Sequence, residues 1–103
     1  MDRIQKLNEF LSANPNDSFV EHALGLEYIK LEKDEFARKF FMHILERDPE
    51  YIGTYYHLAK LLERNGETEK AIEVYQKGMT VAKNANDNHA YGELRGALEE
   101  LTF

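Results

Sequence analysis

Apolar side chains recur along this chain at spacings of three and four residues, the period of one face of an α-helix. The pattern occurs in six stretches, separated by polar or turn-forming segments such as Asn14–Asp17, Asn65-Gly66 and Asn84–Asn88. The apolar positions are Ile4, Leu7, Phe10, Leu11; Val20, Leu24, Tyr28, Leu31; Phe36, Ala37, Phe40, Phe41, Ile44, Leu45; Tyr55, Leu58, Ala59, Leu62; Ala71, Ile72, Tyr75, Met79; and Ala90, Tyr91, Leu94, Ala97, Leu98, Leu101. No run alternates strictly between apolar and polar residues, as a half-buried strand would. The pattern predicts an all-α protein of about six helices, antiparallel to their neighbours because the loops are short.

Similar residues also recur at a constant offset of 34 positions. The pairs are Pro15 with Pro49, Leu24 with Leu58, Gly25 with Ala59, Tyr28 with Leu62, Ala37 with Ala71, and Phe41 with Tyr75. Self-similarity at a fixed period of this length is typical of repeat proteins, in which each unit buries its apolar side against the next. The sequence therefore predicts repeated pairs of helices.

The order and spacing of these residues resemble the tetratricopeptide repeat, a helix–turn–helix unit of about 34 residues. The first repeat carries Leu24, Gly25, Tyr28, Ala37, Phe41, Ile44 and Pro49, and the second carries Tyr55, Leu58, Ala59, Leu62, Gly66, Ala71, Tyr75 and Gly78. The resemblance implies a right-handed superhelical solenoid that forms a single domain over residues 1–103. Its parts would be an N-terminal half repeat (1–17), two repeats (18–51 and 52–85) and a C-terminal capping helix (86–103).

Small and large residues are expected to alternate across each helix pair. Gly25 and Ala59 would let neighbouring helices approach closely, and Phe41 and Tyr75 would fill the space between them. Glu21 departs from the pattern, because the repeat usually has a large apolar residue at its position.

The resemblance implies that the first helix of each repeat lines a concave groove that holds a partner peptide. At about 100° per residue, the candidate residues lie opposite the core stripes of their helices. They are Phe19, His22, Leu26, Ile29, Tyr56, His57, Lys60, His89, Gly92 and Gly96. Tyr56 is a good anchor for such contact, because aromatic side chains concentrate at interface hot spots. Gly92 and Gly96 each cost roughly 1 kcal/mol relative to alanine inside a helix; they reflect either a tolerant terminal helix or room for a partner.

Two interpretations of this surface remain open. In the first, the protein is a non-catalytic interaction module that binds a peptide or partner protein. In the second, the same apolar face self-associates as a homodimer, with Gly92 and Gly96 admitting the partner's helix. Some members of the family clamp the C-terminal carboxylate of heat-shock chaperones with Lys, Asn and Arg. The matching positions here read His22, Leu26 and His57, so that function is not expected.

Composition narrows the remaining chemistry. The net charge of -6 argues against binding to nucleic acid or an anionic membrane surface. The chain has no cysteine, no apolar run long enough to span a membrane and no visible secretory signal. The four histidines (His22, His43, His57 and His89) form no close helical pair, and no phosphate loop or catalytic triad is visible. No metal, cofactor or enzymatic activity is therefore expected, and a helical enzyme or metal carrier is the least favoured interpretation. The protein is also predicted to be cytoplasmic and bacterial.

Overall fold

The computed structural model describes residues 2–103, and over that range it contains six α-helices and no β-strand. The helices are α1 (Arg3–Ala13), α2 (Ser18–Lys30), α3 (Asp34–Arg47), α4 (Ile52–Arg64), α5 (Thr68–Asn84) and α6 (Asn88–Thr102). Each helix coincides with one of the six apolar stretches in the sequence. The predicted all-α fold and the number of helices are confirmed.

The ends of the helices are defined by local polar chemistry. Asp2, Asp17 and Asp87 precede α1, α2 and α6, and each carboxylate accepts a hydrogen bond from the backbone N–H three residues further on. These contacts satisfy donors that the first turn of a helix leaves unpaired. At the other end, α2 and α4 both stop in left-handed backbone, at Glu32 (φ 59°) and Gly66 (φ 80°). Because these two residues are 34 positions apart, the same tight turn ends the first helix of both repeats.

The chain divides into two compact units, one ending at Asp48 and the other beginning at Pro49. In the first unit, α2 packs against both α1 and α3. In the second unit, α5 packs against both α4 and α6, and α4 also touches α6. Helices α2 and α3 correspond to the first predicted repeat, and α4 and α5 correspond to the second.

Close approach of helices defines the packing in both units. A Cβ atom added to Gly25 would lie only 2.4 Å from Cε1 of Phe41, whose side chain is fully buried. In the second unit, a Cβ added to Gly78 would lie 2.7 Å from Cβ of Tyr55. Real Cβ atoms do not come this close to other atoms, so the absence of a side chain at Gly25 and Gly78 is required. The predicted filling of the space beside Gly25 by Phe41 is confirmed.

Glu21, the departure from the repeat pattern, is buried in the first unit with only 2% of its surface exposed. Its two carboxylate oxygens are each 2.5 Å from a nitrogen of α3, one from Nη2 of Arg47 and the other from Nδ1 of His43. The same Nη2 also donates a hydrogen bond to Oγ of Ser18, at 2.8 Å. A buried charge is tolerated only when it is paired and hydrogen-bonded. This network therefore replaces an apolar contact between α2 and α3 with a polar one.

Replacing Glu21 by Ala should destabilise the first unit by about 3 kcal/mol, because the partly buried guanidinium of Arg47 would lose its counter-charge. Urea unfolding followed by circular dichroism would measure the change. Glu46→Ala, which removes an exposed carboxylate from α3, is the matched control and should change the stability by less than about 0.5 kcal/mol. Equal effects of the two variants would contradict the assigned role of the buried network.

Alanine substitutions at two helical glycines should act in opposite directions. Gly25→Ala should destabilise the fold by about 1–3 kcal/mol, because the new methyl group overlaps the ring of Phe41. Gly96→Ala meets no atom within 4 Å, so it should stabilise α6 by about 0.5–1 kcal/mol through the higher helix propensity of alanine. Midpoints of urea unfolding compare the two variants with the parent chain. A destabilised Gly96→Ala variant would show that the space around α6 is not open.

Candidate functional site

Four candidate residues lie on α2 in the first unit, and we call them the apolar face: Phe19, His22, Leu26 and Ile29. The side chain of Phe19 is 70% exposed, and the other three residues are half-buried. The ring of His22 packs against Phe41, with 5.5 Å between the ring centroids. One residue of the apolar face therefore contacts the same aromatic ring, that of Phe41, that packs against Gly25.

The other six candidates lie in the second unit, and we call them the polar face: Tyr56, His57 and Lys60 on α4, and His89, Gly92 and Gly96 on α6. The rings of Tyr56 and His57 meet edge to face, with centroids 5.6 Å apart. Nζ of Lys60 lies 5.8 Å from the centroid of the Tyr56 ring, within the range of a cation–π interaction. The three residues of α4 therefore form one connected group.

Glu93 links the two helices of the polar face, although the sequence analysis did not select it. Its carboxylate lies 3.8 Å from Nε2 of His89, one helical turn away on α6, and its charge also acts on His57 of α4. Burial lowers the pKa of His57 from its ordinary value of 6.5, and the negative charge of Glu93 opposes this shift. The four-residue spacing of His89 and Glu93 is the only signal in the sequence that could have indicated Glu93.

Glu63 and Tyr75 are also linked by contacts to the residues of the polar face, although neither was among the predicted site residues. The hydroxyl of Tyr75, whose side chain is fully buried on α5, donates a hydrogen bond to Oε2 of Glu63 at 2.9 Å. The same carboxylate oxygen lies 3.8 Å from Nζ of Lys60. Burial, followed by the hydrogen bond to Glu63, raises the pKa of Tyr75, which keeps the hydroxyl protonated and able to donate.

Gly92 and Gly96 are exposed, and a Cβ atom added to either would meet no atom within 4 Å. They share one side of α6 with His89, because positions three and four residues apart lie on the same helix face. Packing within the chain therefore does not explain these two glycines, in contrast to Gly25 and Gly78.

Among residues 2–103, no group of three or more His, Asp or Glu side chains is placed to hold a metal ion. Two depressions in the second unit lie away from the candidate residues. One, of about 230 Å³, is lined by Gln76, Met79, Thr80, Lys83 and Tyr91, and the other, of about 430 Å³, by Glu50, Val81, Asn84 and Ala85. None of the helices in the described range has both the length and the apolar character needed to cross a bilayer.

Sequence comparison identifies the class of protein. Two family models described as Tetratricopeptide repeat match residues 22–51 and 40–73. The chain is also 38% identical to a tetratricopeptide repeat domain protein from Salinibacter ruber, over 84% of this chain and 88% of that one, with a TM-score of 0.81. The chain belongs to the tetratricopeptide repeat family, whose members generally serve as non-catalytic modules for protein–protein interaction.

Two further proteins are similar to this chain, one in fold and one in sequence. The yeast Sti1 TPR2B domain, solved as a complex designated TPR2B-domain:pHsp70, has the same fold: its TM-score is 0.89 at 17% identity, covering 96% of this chain and 79% of that one. An uncharacterised protein of Porphyra purpurea, ycf37, is 29% identical over an alignment of 84 positions that covers 79% of this chain. The match covers 49% of the Porphyra protein, so the chain spans about half the length of this curated relative.

The lowered pKa of His57 predicts that this residue makes the fold less stable in acid. The unfolded chain takes up a proton at His57 below about pH 6.5, whereas the folded chain does so only at lower pH. The contribution of His57 to stability is thus complete above 6.5 and is lost as the pH falls towards the folded-state pKa. His57→Gln should therefore lose less stability than the parent chain between about pH 8 and about pH 5, as measured by urea unfolding. His89→Gln is the control, since the His89 side chain is 87% exposed; an equal reduction in both variants would contradict the assignment.

Proposed function

We propose that this protein binds segments of other proteins through the apolar face of α2 and the polar face of α4 and α6, without catalysis and without a cofactor or metal. The observation that carries the proposal is the exposure of Phe19. The second repeat has Gly53 at the equivalent position, 34 residues further on, so the fold of a repeat does not depend on a large side chain there. Burial of a phenylalanine on binding would contribute about 1.5–3 kcal/mol.

The apolar face would supply hydrophobic contact with the partner. Leu26 and Ile29 lie on the same side of α2 as Phe19, about two and about three helical turns further along, and both keep part of their surface in contact with water. A partner segment with apolar side chains at helical or extended spacing could cover all three residues. The proposed site on α2 therefore selects for apolar side chains.

The polar face would supply direction and hydrogen bonding. Tyr56 offers an aromatic ring already in contact with Lys60, and Gly92 and Gly96 leave the surface of α6 open to the backbone of a partner. Each of the two glycines lowers helix stability by roughly 1 kcal/mol relative to alanine, with no compensating contact inside the chain. Close approach of a partner chain is the physical reason we assign to them.

Self-association is the second candidate function, and the same exposed Phe19 supports it. Two copies could bury their apolar faces against each other about a two-fold axis, with Gly92 and Gly96 accommodating a helix of the other copy. The partner would then be a second copy of this chain in place of a different protein. The net charge of -6 supports a protein or peptide partner over nucleic acid. The similarity to the Salinibacter protein supports a bacterial origin, and the cytoplasmic location stays a prediction from the sequence.

Phe19→Ala and Tyr56→Ala should each weaken binding about tenfold, which corresponds to about 1.4 kcal/mol, while leaving the fold intact. The probe is the tightest peptide selected from a random phage-displayed library against the parent chain, measured by isothermal titration calorimetry. Phe10→Ala is the matched control, because Phe10 is 62% exposed and lies on α1, outside both faces. If Phe10→Ala weakens binding as much as Phe19→Ala, the contact is not specific to α2.

Light scattering coupled to size exclusion distinguishes binding of a different protein from self-association. The parent chain and the Leu26→Glu variant are each measured over a concentration series. A mass near 12.0 kDa at all concentrations supports a face open to a different protein. A dimer that Leu26→Glu converts to monomer supports self-association through α2. A dimer that survives Leu26→Glu rejects the apolar face as the dimer contact.

A further inference from the structure

The two repeats differ in polarity at three equivalent positions, which are related by the offset of 34 residues. Leu26, Ile29 and Phe41 in the first repeat correspond to Lys60, Glu63 and Tyr75 in the second. All three positions are apolar in the first repeat, and all three carry a polar group in the second. Phe41 and Tyr75 are both fully buried, so the difference reaches from the surface into the core.

In the second unit these polar groups form a continuous chain of contacts. The hydroxyl of Tyr75 donates to Oε2 of Glu63 at 2.9 Å, and that oxygen lies 3.8 Å from Nζ of Lys60. Nζ of Lys60 lies 5.8 Å from the centre of the Tyr56 ring. The hydroxyl of Tyr75 in the core is therefore connected, through the side chains of Glu63 and Lys60, to the aromatic ring of Tyr56 on the polar face.

Among these contacting side chains, the one that is held most rigidly restrains the position of the next. The ring of Tyr75 is enclosed by the core, so its hydroxyl has one location. The side chains of Glu63 and Lys60 remain partly exposed, and a surface ion pair three residues apart on a helix does not by itself hold two long side chains in one geometry. A hydrogen bond from a fixed hydroxyl to a carboxylate is stronger than such a pair. Tyr75 therefore restrains Glu63, and Glu63 restrains Lys60.

We infer that Tyr75 is a positioning residue of the polar face: its buried hydroxyl orients Glu63, which holds the ammonium group of Lys60 against the ring of Tyr56. This inference rests on the proposed function, because it assigns the network a role in partner binding. A pair of side chains already held in one arrangement loses less conformational freedom when a partner binds. The second repeat would thus present a preorganised aromatic–cation pair, which the first repeat cannot form.

The Tyr75→Phe variant removes only the hydroxyl and introduces the residue that the first repeat has at Phe41, so the fold should persist. The first readout is the NMR chemical shift of the Lys60 ε-methylene protons, assigned by its disappearance in Lys60→Met. In the parent chain the ring of Tyr56 should shift these protons upfield, and in Tyr75→Phe the shift should move towards that of the exposed lysines. Tyr55→Phe is the matched control, because it removes another core hydroxyl, which donates to the backbone oxygen of Pro49, and it should leave the Lys60 signal unchanged.

Glu63→Ile, which introduces the residue of the first repeat at Ile29, provides an independent variant and should move the Lys60 signal in the same direction as Tyr75→Phe. An unchanged Lys60 signal in both variants would overturn the inference. If the signal moves equally in Tyr55→Phe, the effect is a general loosening of the core, and the inference also fails.

The second readout is affinity for the library-selected peptide. Tyr75→Phe should weaken binding at least threefold in the parent chain and have no further effect in a Lys60→Met background. An affinity that does not change in the parent chain would reject the role in binding. If no peptide is selected at all, the proposed function fails, whereas the NMR comparison still decides whether Tyr75 positions Lys60.

Discussion

The structure depends on how closely the two helices of each repeat approach each other. At Gly25 the backbone of α2 is so near to the ring of Phe41 that even a methyl group would overlap with it, and Gly78 of α5 is in the same situation beside Tyr55. Such contacts bury large aromatic side chains completely within a single pair of short helices. A chain of this size has a limited core. Much of its packing therefore comes from these aromatic rings and from the glycines that lie opposite them.

Because this packing uses one side of each helix, the opposite side is free to vary between repeats. Helix α2 presents an apolar face, whereas α4 presents Tyr56, His57 and Lys60 at comparable positions. The variation is not confined to the surface, since the change from Phe41 to Tyr75 alters a core residue by one oxygen atom and gives Glu63 a hydrogen-bond donor. The polar character of a face is thus connected to the chemistry of the core beneath it.

Where the two repeats differ in polarity, several residues that contact each other differ together. The first repeat has a polar network around the buried carboxylate of Glu21, at positions where the second repeat is largely apolar. The corresponding pairs are Ser18 with Ile52, Glu21 with Tyr55, His43 with Lys77, and Arg47 with Val81. A buried carboxylate without its guanidinium partner would cost several kcal/mol, so such residues can change only together. The departure of Glu21 from the repeat pattern is therefore accompanied by polar partners for its carboxylate on α3.

The sequence by itself determined the helices, the 34-residue repeat, the pairing of Gly25 with Phe41 and the family, because these depend on periods and spacings along the chain. It also indicated the sharp turn at Gly66, but not the equivalent turn at Glu32, since glutamate carries no local signal for left-handed backbone. The partners of Glu21 are 22 and 26 positions away, and Tyr75 is 12 positions from Glu63. Only the tertiary structure decided these contacts, and with them the link from His57 to Glu93, because they depend on which side chains of different helices come within a few ångströms of each other.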